Sequence, residues 1–151
     1  MAHEGVREML NRDVTKEAYR TIRREWMKHS IAEDNRDIPG LLATLTEDCV
    51  YHMVQTGHTW NGHEGAARFY TEMLTAFPDV HFDLINIVIG PQGVWEEAIV
   101  TGTHQAEWLG YAPTGKKIVL KTVIQFPWVE SAAKFKGERI YLDSDAPLKG
   151  E

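Results

Sequence analysis

The sequence predicts an α+β domain with helices first and sheet afterwards, and three observations carry that prediction. Up to Phe77 the apolar residues recur at helical spacing, as in Val14, Ala18, Ile22 and Trp26. Beyond Pro78 the pattern becomes that of extended chain, rich in β-branched and aromatic residues. Between two of the extended runs stands Gly90-Pro91-Gln92-Gly93, a turn signal that makes them a hairpin.

Taken in order, residues 1–13 read as a flexible or extended leader, and Asp13 can cap a first helix in which Met27 and Ile31 widen the apolar stripe. Asp37-Ile38-Pro39 opens a shorter second helix with Leu41, Leu42 and Leu45 on its buried side, ended by Glu47-Asp48. A strand follows over 49–54, then a loop over 55–62. A third helix over 64–76 carries Ala66, Phe69, Tyr70, Met73 and Phe77 on one face and stops at Pro78. The runs 80–89 and 94–105 form the first hairpin, and 117–128 with 135–142 the second, so the sheet is expected to be mainly antiparallel. With 151 residues, no internal repeat and no linker, a single domain over 1–151 is expected.

Composition narrows the partners. Sixteen basic against 22 acidic residues give a net charge of −6, with no dense basic tract beyond 20–24, which disfavours nucleic acid. No apolar run approaches the roughly 18 residues of a membrane span, and the charged start lacks a signal-peptide core, so a soluble, cytoplasmic protein without a membrane partner is expected. The single Cys49 excludes an internal disulfide framework and reads as a buried structural thiol. Seven histidines include His52, His58 and His63, but no ligand spacing links them, so no metal is expected. No nucleotide or phosphate-loop signature is present either: the glycines over 90–93 and 110–115 have the wrong spacing, and no cofactor is expected.

Several motifs fall in a telling order. Val50-Tyr51-His52-Met53 ends the first strand, and Gly62-His63-Glu64-Gly65 enters the third helix. Phe77-Pro78-Asp79-Val80, Gly102-Thr103-His104, Pro113-Thr114-Gly115-Lys116 and Glu138-Arg139-Ile140-Tyr141-Leu142-Asp143 follow. Over residues 18–148 this order resembles the SnoaL-like polyketide cyclase group of the nuclear transport factor 2-like superfamily. The resemblance implies a cone-shaped domain, three N-terminal helices packed on a curved sheet that encloses an apolar cavity, and a homodimer formed through the outer sheet face. The same fold hosts cyclases, isomerases, lyases, epoxide hydrolases and proteins that only bind.

Site candidates follow from chemistry and from that resemblance together. Glu96 and Glu97 lie in one strand and alternate, so one must face inward. The register implied by the resemblance turns Glu97, Ile99 and Thr101 inward, with a possible bulge at Gly102, and turns Glu138, Ile140 and Leu142 inward on the last strand. Glu97 is thus the first candidate for general base, because a carboxylate in an apolar cavity is penalised as an ion and can exchange a proton near neutral pH. Glu138, Tyr51 and His104 are the candidate donors or oxyanion partners. His29 falls near the place where some isomerases in the family carry a tyrosine. Where relatives usually carry acids, this chain has Met53 and Ile140. Trp26, His29, Met53, Trp60, Phe69, Met73, Trp108, Ile140 and Leu142 are candidates to touch a substrate, Trp60 and Trp108 as loop residues at the rim.

Two functional classes stay open. One is a cofactor-free cyclase or isomerase-type enzyme, or an epoxide hydrolase-like one, acting on a small hydrophobic carbonyl or polyketide-like compound. The other is a non-catalytic protein that holds a small apolar ligand in the same cavity.

Overall fold

The structure is a computed structural model that describes residues 4–151. Helix α1 covers Glu4–Leu10, where the sequence suggested extended chain; none of its residues is buried, so the apolar pattern gave no sign of it. Helix α2 covers Lys16–Asp34. Its cap is Thr15, whose hydroxyl accepts from the Ala18 amide, and not Asp13. The short α3, Ile38–Ala43, starts as expected at Asp37, whose carboxylate accepts from the Gly40 amide.

The sheet begins earlier than its apolar pattern indicated. Strand β1, Leu45–Met53, takes Leu45 away from the second helix. A four-residue strand β2, His58–Asn61, occupies what read as loop and brings Trp60 into the core. Helix α4 spans Gly62–Ala76, and β3, His81–Gly90, β4, Gly93–Thr103, β5, Lys117–Val129, and β6, Lys134–Leu142, complete the chain before a short turn at Ala146–Lys149. The strand order is β2-β1-β6-β5-β4-β3. All neighbours are antiparallel except β1 and β6, which run parallel, so the curved sheet is mixed. Among the described residues no helix is long and apolar enough to cross a membrane.

The face of α2 that enters the core is set by Ile22, Trp26, His29 and Glu33, with spacings of four, three and four. Met27 and Ile31, expected on that face, are exposed. Helix α4 lays Phe69, Tyr70 and Met73 over β1 and the inner face of the sheet. On β4 the inward residues are Val94, Glu96, Ala98, Val100 and Gly102. A side chain at Gly102 would press on Phe77, which explains the glycine by close approach; the register shift of this hairpin lies in β3, between Leu84 and Asn86.

Candidate active site

The even numbering on β4 corrects the first candidate base. Glu96 is buried, whereas Glu97 is exposed on the outer face beside Asn86 and Val123. The alternation was ambiguous because both faces of β4 carry apolar residues: Ala98 and Val100 inside, Trp95 and Ile99 outside. The inward set on β6 is Glu138, Ile140 and the half-buried Leu142.

Glu138 sits at the centre of a buried polar network. Its Oε1 lies 3.0 Å from His29 Nε2 and accepts a hydrogen bond of 2.9 Å from the Tyr70 hydroxyl. Tyr70 is 3.1 Å from the Tyr51 hydroxyl, and His29 Nδ1 is 2.7 Å from Thr44 Oγ1. Thr44 donates its own proton to the Leu41 carbonyl, so its oxygen must accept from His29. That fixes a proton on Nδ1. Nε2 lies against both Glu138 Oε1 and, at 3.2 Å, the Tyr70 hydroxyl, so it can accept from Tyr70 or share a proton with the carboxyl. Burial and the Glu138 charge push both tyrosine phenols well above their ordinary value, so they remain donors. His29 and Tyr70 both meet Glu138 at Oε1, and the residue also lines the space beyond.

That space is a hollow between α4, the inner sheet and the end of α2. Met53, Phe69, Met73, Phe77, Leu120, Ile124 and Ile140 supply hydrocarbon, and Glu33, Thr122 and Glu138 supply polar atoms. The hollow measures about 540 Å³ with its open mouth and is narrow inside, where the flexible Met53 and Met73 side chains project into it. A second, more polar hollow adjoins the first, lined by Trp26, His29, Asp34, Glu96 and Phe126, and Glu33 and Phe82 border both.

Glu33 was not singled out from the sequence. The residue keeps some solvent contact, but burial of its carboxyl, then the charges of Glu138, Glu96 and Asp34, raise its pKa well above the usual carboxylate range. Glu96 accepts from Trp26 Nε1 at 3.1 Å and is pushed up to about 8, first by burial and then by Glu138. The signal that could have found Glu33 and promoted His29 was the 22-26-29-33 spacing on α2.

The other candidates divide. Met53, Phe69, Met73, Trp108, Ile140 and Leu142 line the first hollow; Trp26 and His29 line the second. Tyr51 is fully buried, hydrogen-bonded to Tyr70 and close to Glu138, outside the lining. Trp60 packs on Phe69 and donates to Glu72; it lies outside the lining of the first hollow and shares a surface depression with Trp108. His104 is fully buried and stacked on Phe77, outside the lining and away from Glu138. Burial raises the Cys49 thiol to about 11, which makes it inert. Among the described residues no group of three or more His, Cys, Asp or Glu side chains is arranged to hold a metal.

The family model described as SnoaL-like polyketide cyclase matches residues 7–149. No curated protein matches the sequence. Among solved structures, a candidate SnoaL-like polyketide cyclase from Jannaschia sp. CCS1 is 16% identical, with a TM-score of 0.77 over 91% of this chain and 95% of that one. AclR, a candidate hydroxylase from Streptomyces galilaeus, is 19% identical, with a TM-score of 0.68 over 88% and 98%. A protein with a ketosteroid isomerase-like fold from Catenulispora acidiphila is 13% identical, with a TM-score of 0.63 over 78% and 83%. At these identities the likeness establishes the fold, which is that of the nuclear transport factor 2 and ketosteroid isomerase group.

Proposed function

Because the chain belongs to the SnoaL-like polyketide cyclase family, we propose that it is a cofactor-free enzyme of the cyclase or isomerase type acting on a small hydrophobic carbonyl compound. The observation that carries this reading is Glu138, held by His29 and Tyr70 on one oxygen and lining an apolar hollow.

Glu138 Oε2 takes a proton from the carbon next to the substrate carbonyl, and the electron pair of that C–H bond moves into the enolate. Glu33, whose burial and acidic neighbours favour the protonated carboxyl, lines the same hollow and donates to the developing enolate oxygen. The enol carbon then either attacks a second carbonyl, closing a ring, or is reprotonated at another position, completing an isomerisation. His29 stabilises whichever charge Glu138 carries during the cycle. Phe69, Met73 and Leu120 keep bulk water from the enolate.

Deuterium uptake at C1 of 2-tetralone, an enolisable bicyclic ketone, followed by proton NMR in D₂O, tests the reading without knowledge of the natural substrate. The enzyme reading expects the wild-type protein to speed uptake at least 100-fold over buffer, the scale of general base catalysis. A second reading, a non-catalytic carrier, is favoured by hydrocarbon at Met53 and Ile140 where relatives usually carry acids. It expects tetralone to bind with no gain in exchange. We also propose that two copies pair through the outer sheet face, where Trp95, Val119 and Val123 are exposed.

A further inference from the structure

The first hollow has two ends that can be ordered along β5. Glu96, Ile124 and Ile140 lie side by side on neighbouring strands, with Glu138 one inward position further along β6. At the opposite end Gly102 pairs with Ile118, and Phe77 packs on Gly102. From Ile118 to Ile124 the strand covers about 20 Å at about 3.3 Å per residue. The acid–base groups therefore occupy one end only.

The far end is formed by Phe77 and Trp108, with His104 behind Phe77. Trp108 meets Phe77 edge-on at 5.4 Å and lines the hollow, and His104 stacks on Phe77 at 5.0 Å. Among the described residues four buried side-chain polar atoms have no partner, and three of them are here: Trp108 Nε1 and both ring nitrogens of His104. Folded proteins rarely leave such atoms unpaired, because each costs about 1–3 kcal/mol.

The loop that carries Trp108 is also constrained. Trp108 and Tyr111 exchange backbone hydrogen bonds around Leu109 and Gly110, both at positive φ, and Leu109 at 55° is in a region that leucine disfavours. The Tyr111 hydroxyl fastens the loop to Asp145 at 2.6 Å. Strain and a tether together hold an indole N–H that no protein group uses.

We propose that Trp108 is a specificity-determining residue whose indole N–H binds an acceptor oxygen on the ligand, at the end remote from Glu138. This rests on the hollow being the ligand site, as set out above, and it names the ligand class: an elongated apolar body with an oxygen function at each end. A compound with only the reactive carbonyl leaves Trp108 unpaired and binds more weakly.

The test compares 4,4″-diacetyl-p-terphenyl, oxygenated at both ends and long enough to span the hollow, with 4-acetyl-p-terphenyl, oxygenated at one. Nitrogen-15 NMR follows the indole signals of the five tryptophans, with that of Trp108 identified by its loss in Trp108→Phe. The diketone is expected to bind the wild-type protein about tenfold more tightly than the monoketone and to move the Trp108 N–H signal downfield. In Trp108→Phe that preference falls to about onefold. Equal affinity of the two probes for the wild type, or a Trp108 signal unmoved at saturation with the diketone, overturns the proposal and leaves the function reading intact. If neither probe binds, both fall. The wild-type signal decides the matter even if Trp108→Phe does not fold.

Discussion

At the scale of single residues, the hydroxyl of Thr44 determines which nitrogen of His29 carries a proton, because it donates to Leu41 and can only accept from Nδ1. Thr44→Val keeps the volume and removes the acceptor. It should lower stability by about 1–3 kcal/mol and shift the nitrogen-15 signals of the His29 ring, while Thr44→Ser should restore both. Unchanged ring signals in Thr44→Val would disprove the assignment of the proton. Glu96 gives a pH signature. Its folded pKa of about 8 lies above the 4.5 of an ordinary carboxyl group, so between those values the folded chain binds more protons than the unfolded one. Its contribution to stability is thus complete below about pH 4.5 and lost as pH rises through 8, at no more than about 1.4 kcal/mol per pH unit. Glu96→Gln should flatten that decline in urea melts taken from pH 5 to 9, and an unaltered slope would place the proton elsewhere.

At the scale of elements, the site depends on the parallel pairing of β1 with β6, where Gly137 opposes Val50 immediately before Glu138. Gly137 has φ of 102°, and a side chain there would overlap the Val50 carbonyl. Gly137→Ala should cost more than about 2 kcal/mol in thermal or denaturant unfolding; a loss below about 0.5 kcal/mol would mean that β6 shifts freely. This pairing was not legible in the sequence, since each strand reads the same whether its neighbour runs parallel or antiparallel. Pro78, Gly90-Pro91-Gln92-Gly93 and the alternation of 117–128 were legible because local chemistry alone dictates a helix stop, a turn and a two-sided strand. Glu138 and Glu97 were both placed inward by the register that the family resemblance implies; it holds on β6 but not on β4, where Trp95 and Ile99 make the outer face apolar too and leave the alternation ambiguous. Glu33 was missed because it is charged and follows the last apolar residue taken for the helix face. Thr44 acts through a capping geometry that only the fold creates.

At the scale of the whole molecule, the fold places an apolar face on each side of the sheet. The inner one closes on α2 and α4, and the outer one exposes Trp95, Val119 and Val123, with Tyr141 stacked on Trp95. Light scattering on a sizing column should give twice the 17.2 kDa chain mass, and Trp95→Glu with Val123→Glu should return the monomer; a monomeric wild-type protein would refute the proposed pairing. Inside, the account depends on the position of one carboxylate. Its most direct test is the rate of deuterium uptake by 2-tetralone with Glu138→Gln set against Glu97→Gln, both checked for folding. The account predicts a loss of at least 100-fold for Glu138→Gln and a wild-type rate for Glu97→Gln; equal rates in the two variants would contradict it.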